Sequence, residues 1–262
     1  SGVLTFLSDA KYLNHVNENS DIKAVFLEKN QDLKLRDDIV AIYVDDPKWY
    51  FFSLLNYLAT NRKREKTRIE SSAVIHPSAV ISDIGVVIGE RVVVEPNVTI
   101  YPDVIIEDDV IVRAGAVLGV DGFEHKRTSR GIVSVAHDGY VLIKRAAEIG
   151  VNSNIVKGFS YRDTIVGEET KIDALVHYAH GVQTGYGCMV VASAMIAGHV
   201  TIGNNVWIGP NASISNRLII GDDAFITFGS VVVKDVPTGQ KVTGNFAIPH
   251  TSFIRNLKAS IK

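Results

Sequence analysis

Hydrophobic residues recur at every sixth position through the C-terminal half of the chain. Counting from Val166 gives Ile172, Tyr178, Thr184, Val190, Ile196, Ile202, Ile208, Ile214, Ile220, Ile226 and Val232. Four residues after each comes a second set, mostly small or β-branched: Thr170, Val176, Val182, Cys188, Ala194, Val200, Val206, Ala212, Leu218, Ala224, Ser230 and Val236. A helix repeats near 3.6 residues and an ordinary strand near 2, so neither accounts for this phase. A six-residue phase predicts a parallel β-helix in which each hexad forms one flat side of a coil. Three sides close a turn of about eighteen residues, and successive turns stack about 4.8 Å apart. Residues eighteen apart therefore share a corner, which decides which side chains can cooperate in chemistry.

The rhythm begins earlier, with Ile75 and Ile81. After one inserted residue it continues through Ile88, Val94, Ile100, Ile106, Val112 and Leu118. It then stops, resumes at Ile143, Ile149, Ile155 and Tyr161, slips by one residue and locks in at Val166. The interruption near 119–140 holds a basic run, two histidines and several glycines. An insertion this long must leave the coil at a corner, and long loops on rigid scaffolds often carry function. Residues 1–70 lack the hexad phase. Ile22 to Leu27 and Ile39 to Val44 read as strands, and Trp49 to Leu58 carries a helical period. The expected organisation is a small α/β domain at 1–70, a β-helix at 71–247 with an extruded loop near 119–140, and a tail at 248–262. The tail is expected to form one helix capping the last coil, because an open sheet edge invites pairing with other chains. The fold class is mainly β. The run Arg62-Lys63-Arg64-Glu65-Lys66 is placed at the end of the N-terminal helix, where positive charge is favourable; a phosphate-contacting patch is the other reading.

Composition narrows the function classes. The net charge of −2 gives no field of one sign to draw nucleic acid or membrane. No stretch of eighteen apolar residues and no basic leader with a long apolar run is found, so a cytoplasmic protein without membrane insertion is expected. The single cysteine, Cys188, falls on a small inward position, so it reads as core, and no disulfide or CxxC metal pattern exists. Val93, Met189, Met195, Trp207 and Phe225 fall on outward positions. A strip of such residues along one wall points to a subunit interface.

The chemistry concentrates at Lys171 to Val182. His180 takes an outward corner position, and His177 ends the preceding hexad. An imidazole accepts a proton near neutral pH. One coil beyond His180 the same corner holds Gly198, whose backbone N–H is open to an approaching ligand. A base and a backbone donor about 5 Å apart along the axis fit acyl transfer, one taking a proton and the other stabilising an oxyanion. A surface histidine without a role accounts for the spacing equally. His199 follows Gly198 and lines the same cleft or simply packs.

Specific stretches then carry a resemblance: Val44-Asp45-Asp46-Pro47, Asp121-Gly122-Phe123, Asp163-Thr164-Ile165-Val166-Gly167, and Lys171-Ile172-Asp173 followed by Ala179-His180. On these the chain resembles the UDP-3-O-acylglucosamine N-acyltransferases of lipid A synthesis and related nucleotide-sugar N-acyltransferases. The resemblance implies a left-handed parallel β-helix and a homotrimer with active sites between subunits. It implies His180 as general base, Gly198 as oxyanion donor, and no metal. It assigns Asp46, Trp49, Asp121, Phe123, Asp173 and His199 to substrate binding, with the base of a nucleotide held against Trp49. Val231 to Pro237 and Gly244 to Ala247 resemble a segment of CoA-dependent hexapeptide acyltransferases, which assigns Lys234 to a CoA phosphate and Trp207 to the pantetheine arm.

Departures matter too. A family Asp-Arg-Gly triplet is Val156-Lys157-Gly158 here, and an Asn after the histidine is Gly181. These shift the expected reaction from lipid A toward a short acyl group carried by acyl-CoA, moved to a dTDP- or UDP-linked amino-deoxyhexose. Lipid A acylation from acyl carrier protein is the alternative. A zinc-dependent carbonic anhydrase on the same coil requires three converging histidines, and the spacing of His177, His180 and His199 departs from that pattern. A non-catalytic β-helix is the remaining class.

Overall fold

The computed structural model describes residues 2–29, 31, 33–159, 161–244, 247 and 249–260. The chain forms two compact units. One comprises Ser1–Arg64 with Asp121–Asp138, and the other Glu65–Val120 with Gly139–Lys262.

The larger unit is a parallel β-helix with three walls of eight, nine and eight strands. The first wall runs from Arg68–Ile69 to Ile219–Ile220, the second from Val74–Ile75 to Lys241–Val242, and the third from Val80–Ile81 to Val231–Val232. Adjacent coils pair in direct register, as in Tyr178↔Ile196, Ile196↔Ile214 and Ile214↔Val232. Backbone bonds such as His177 N–H to Ala194 O (3.0 Å) join coil to coil. The hexad residues form the interior: Ile172, Tyr178, Ile196, Ile208 and Ile226 are buried, and among the second set only Leu218 is merely half-buried. Cys188 is fully buried, and its thiol donates to Gly203 O (3.0 Å).

One part of the six-residue count fails. Tyr161 does not point inward; it is 98% exposed and takes φ 62°. Ile155 pairs with Tyr178, a separation of 23 residues against the eighteen that separate Tyr178 from Ile196. The chain carries an insertion of five residues after Ile155 rather than a slip of one. Phe159 and Arg162 close this insertion through an antiparallel bridge, and Phe159 is buried. A buried ion pair, Lys157 to Asp103 (3.6 Å), stands just before it.

The smaller unit has a parallel sheet in the order β1 (Val3–Phe6), β2 (Ile22–Glu28) and β3 (Val40–Val44). A short helix α1 (Leu13–Glu18) links β1 to β2, and helix α2 (Pro47–Thr60) follows β3. Phe6 packs on Phe51 and Phe52 at centroid distances of 5.1 and 5.5 Å. The excursion from the coil is a hairpin, His125–Thr128 paired with Gly131–Ser134, and it belongs to this unit. Asn56 of α2 ties it down, donating to Ser134 O (2.8 Å) and accepting from Ala136 N–H (2.8 Å).

The run Arg62 to Lys66 starts directly after Asn61, the C-cap of α2, whose own last turn holds no basic residue. Arg62 donates to Asp138 O (2.9 Å). The tail does form a helix, α3 (His250–Ser260), and none of its residues is buried. Of the Gly244 to Ala247 segment, Asn245 and Phe246 lie outside the described residues.

Candidate active site

The corner between the third and first walls carries His180, Gly198, Asn216 and Lys234 in one column, each two residues past the paired positions Tyr178, Ile196, Ile214 and Val232. His180 and Gly198 occupy adjacent coils, as the eighteen-residue count requires. The imidazole lies directly over the glycine. A Cβ on Gly198 would stand 2.4 Å from His180 Nε2 and 2.8 Å from Cε1. Only a residue without a side chain admits the ring there. The relation is reciprocal: Gly181, at φ 66°, would place a Cβ 2.9 Å from His199 Nδ1. The two imidazoles meet edge to face at 5.1 Å, and Phe159 packs edge-on to His180 at 5.8 Å.

At several counterparts of Gly198 around the coil, the turn N–H is capped by a side chain of the neighbouring coil. Tyr186 N–H is capped by Asn204 (2.9 Å), Asn204 N–H by Asp222 (2.6 Å) and Glu90 N–H by Asp108 (2.8 Å). Above and below Gly198 stand Asn216 and His180, and among the described residues its N–H has no acceptor. A covered amide without a partner is costly, which makes it a ready donor to a ligand oxygen.

Other expected residues are distributed differently. Asp173 is on the next corner, between the second and third walls, where it caps Ala174 N–H (2.7 Å) and Ala192 N–H (3.2 Å); within one chain it does not meet His180. His177 faces outward on the third wall between Asn154 and Met195. Trp207 is on the second wall, stacked on Phe225 at 5.7 Å with 8° between the planes. Met189, Trp207 and Phe225 form one column there, whereas Met195 lies on the third wall. Lys234 is exposed, two coils beyond Gly198 on the His180 corner.

In the smaller unit Asp46 is buried and caps α2. Its carboxylate accepts from Trp49 N–H (2.9 Å), Ser129 N–H (2.7 Å) and the Ser129 hydroxyl (2.6 Å). Burial pushes this carboxyl up, but the bonds from Ser129 and Trp49 prevail and hold it below the usual carboxylate range. The Arg130 guanidinium lies over the Trp49 ring at 4.1 Å and pairs with Asp45 (2.8 Å). Phe123 is 89% exposed, edge-on to His125 at 4.6 Å, and Asp121 is exposed.

The count missed Phe159, Arg162, Thr201 and Arg217 around the two histidines. The break in hexad phase after Ile155 was the signal for the first two. Thr201 and Arg217 sit on regular hexads and carried none. Among the described residues no group of three His, Cys, Asp or Glu side chains is placed to hold a metal ion, and no helix is long and apolar enough to cross a membrane.

The family described as bacterial transferase hexapeptide (six repeats) matches residues 85–119 and 199–234. The six-residue phase of this chain is thus matched over those two stretches. Among similar proteins, the hexapeptide-repeat chain is 37% identical over 142 residues to the UDP-3-O-acylglucosamine N-acyltransferase of Caulobacter sp. (strain K31), covering 54% of this chain and 42% of that protein. It is 41% identical over 143 residues to the enzyme of the same name from Methylobacterium sp. (strain 4-46), covering 55% and 40%. The matched stretch thus spans well under two thirds of these relatives' length. Among solved structures, the UDP-N-acetylglucosamine O-acyltransferase of Moraxella catarrhalis gives a TM-score of 0.47 at 22% identity, covering 73% of this chain and 76% of that one.

Proposed function

We propose that this hexapeptide-repeat protein is an N-acyltransferase. It moves a short acyl group, with or without a 3-hydroxyl, from acyl-CoA to the amine of a dTDP- or UDP-linked amino-deoxyhexose. The observation that carries this reading is the His180 imidazole laid over Gly198, whose N–H lacks an acceptor among the described residues. His180 takes a proton from the amine as its nitrogen attacks the thioester carbon. The C–N bond forms, and the carbonyl electron pair moves to the oxygen, which accepts from the Gly198 N–H. Collapse restores the carbonyl and breaks the C–S bond, and the leaving thiolate takes the proton from the imidazolium. Cys188 takes no part: it is inward and fully covered.

The remaining assignments belong to the same reading. Trp49, with Arg130 stacked on it, offers a flat cationic platform for a nucleotide base, while Asp46 caps the helix that carries Trp49 and holds the hairpin tip next to Arg130. Asp121 and Phe123 are assigned to the same substrate. Lys234 meets a CoA phosphate on the His180 corner. Trp207 and Asp173, on a different wall and corner from His180, reach the centre from a neighbouring protomer of a homotrimer, an assembly supported by the apolar column of Met189, Trp207 and Phe225.

A second reading, acylation of UDP-3-O-acylglucosamine from acyl carrier protein, is favoured by the relatives' printed names. Incubation with acyl-CoA or acyl carrier protein and each nucleotide amino sugar, followed by mass spectrometry, separates the two. Replacing His180 with Ala is expected to lower turnover at least about a hundredfold. Unchanged turnover would remove His180 from the mechanism.

A further inference from the structure

Beside the two histidines, on the first-wall side of the corner, opens a pocket of about 420 Å³ lined by Phe159, Tyr161, Arg162, His199, Thr201 and Arg217. Its polar lining residues are basic or hydroxylic, and Ile219 completes the wall, its N–H capped by the Asp235 carboxylate (2.8 Å). Arg162 is held in place: Nε donates to Gly181 O (2.6 Å) and Nη2 to Thr201 Oγ1 (2.7 Å), so the guanidinium spans adjacent coils. Having accepted that bond, the Thr201 hydroxyl keeps its own proton to donate. Arg217 follows Asn216 on the His180 column, and its amide donates to Gly198 O (3.0 Å). Among the described residues neither guanidinium has an acidic partner. Three other surface arginines on the coil do: Arg91 pairs with Asp109, Arg113 with Glu95 and Glu148, and Arg145 with Glu168.

Two uncompensated guanidiniums beside one cavity repel each other unless an anion enters. Planar guanidinium forks match phosphate oxygens two at a time, and a hydroxyl completes the shell. We propose that Arg162, Thr201 and Arg217 form a phosphate subsite next to His180. The five-residue insertion after Ile155 creates it by delivering Arg162 to the corner. The inference rests on reading His180 as the catalytic centre for phosphate-bearing substrates. The phosphates come from one of two sources, the diphosphate of the nucleotide-linked acceptor or those of coenzyme A.

Calorimetric titration of the full chain with inorganic pyrophosphate tests the subsite directly. Wild-type protein is expected to bind it, more weakly at higher salt. Arg217→Gln changes an exposed side chain, so its melting temperature should hold while pyrophosphate affinity falls at least about tenfold. His180→Ala should bind pyrophosphate within about twofold of wild type while losing turnover. If dTDP or UDP affinity falls with Arg217→Gln and CoA affinity does not, the subsite belongs to the acceptor; the reverse assigns it to the donor. Absence of pyrophosphate binding, or equal affinity in Arg217→Gln, overturns the proposal. The two readings fail separately: pyrophosphate binding lost in Arg217→Gln without acyl transfer from any donor keeps the subsite and rejects the reaction. Acyl transfer with KM for both substrates unchanged in Arg217→Gln keeps the reaction and rejects the subsite.

Discussion

At Gly198 a missing side chain makes room for chemistry. Adding one methyl group there puts a carbon 2.4 Å from His180 Nε2, so the ring must leave its place. Gly198→Ala is therefore expected to reduce kcat/KM at least about a hundredfold, the scale of losing a positioned base. The melting temperature should stay near wild type, because the displaced ring is only half-buried. Activity close to wild type would show that the stacked geometry is not the working one. Cys188 gives the opposite expectation. Burial pushes its thiol up, away from the reactive thiolate. A thiol reagent should label it only after unfolding, and Cys188→Ala should keep turnover within about twofold. Rapid labelling of the native protein would contradict the inward placement.

Among the elements, α2 depends on one carboxylate. Asp46 caps its first turn and also holds the hairpin tip through Ser129. Asp46→Ala removes both, and the smaller unit is expected to lose about 1–3 kcal/mol in a denaturant titration. The pH dependence follows from the lowered carboxyl. A group whose folded pKa is below its unfolded value of about 3.9 adds stability above that value and loses it as pH falls through the folded one. Asp46→Asn should flatten the acid limb of this unit's stability curve; an acid limb as steep as wild type would show that other carboxylates set it. α2 was legible beforehand, from the helical period of Trp49 to Leu58 and from Asp46, which also reads as a turn or helix-cap residue. Its partner was not, because Ser129 lies 83 residues away in a segment without periodicity.

For the whole molecule, the second wall presents Met189, Trp207 and Phe225 in one column, closed by Lys241 Nζ over the Phe225 ring at 4.8 Å. A ridge of this kind on a rigid coil is suited to cover by another copy of the chain. Phe225→Asp is expected to shift a homo-oligomer to monomer in light scattering while leaving the circular dichroism of the coil unchanged. If His180 works only in a cleft between copies, turnover falls in the same variant. An unchanged mass would place the interface elsewhere.

The six-residue phase determined the β-helix, its interior and the His180–Gly198 column, because a solenoid repeats one local rule and each coil contacts only its neighbours. The same regularity is silent wherever the chain leaves it. The five-residue insertion, the Arg162 bridge to Gly181 and Thr201, and the docking of the hairpin on α2 depend on where two distant segments come to rest. Asp173 shows both sides: seven residues before His180, it falls on another corner by the six-residue count, while the bonds it makes there, capping Ala174 and Ala192, are a property of the folded coil.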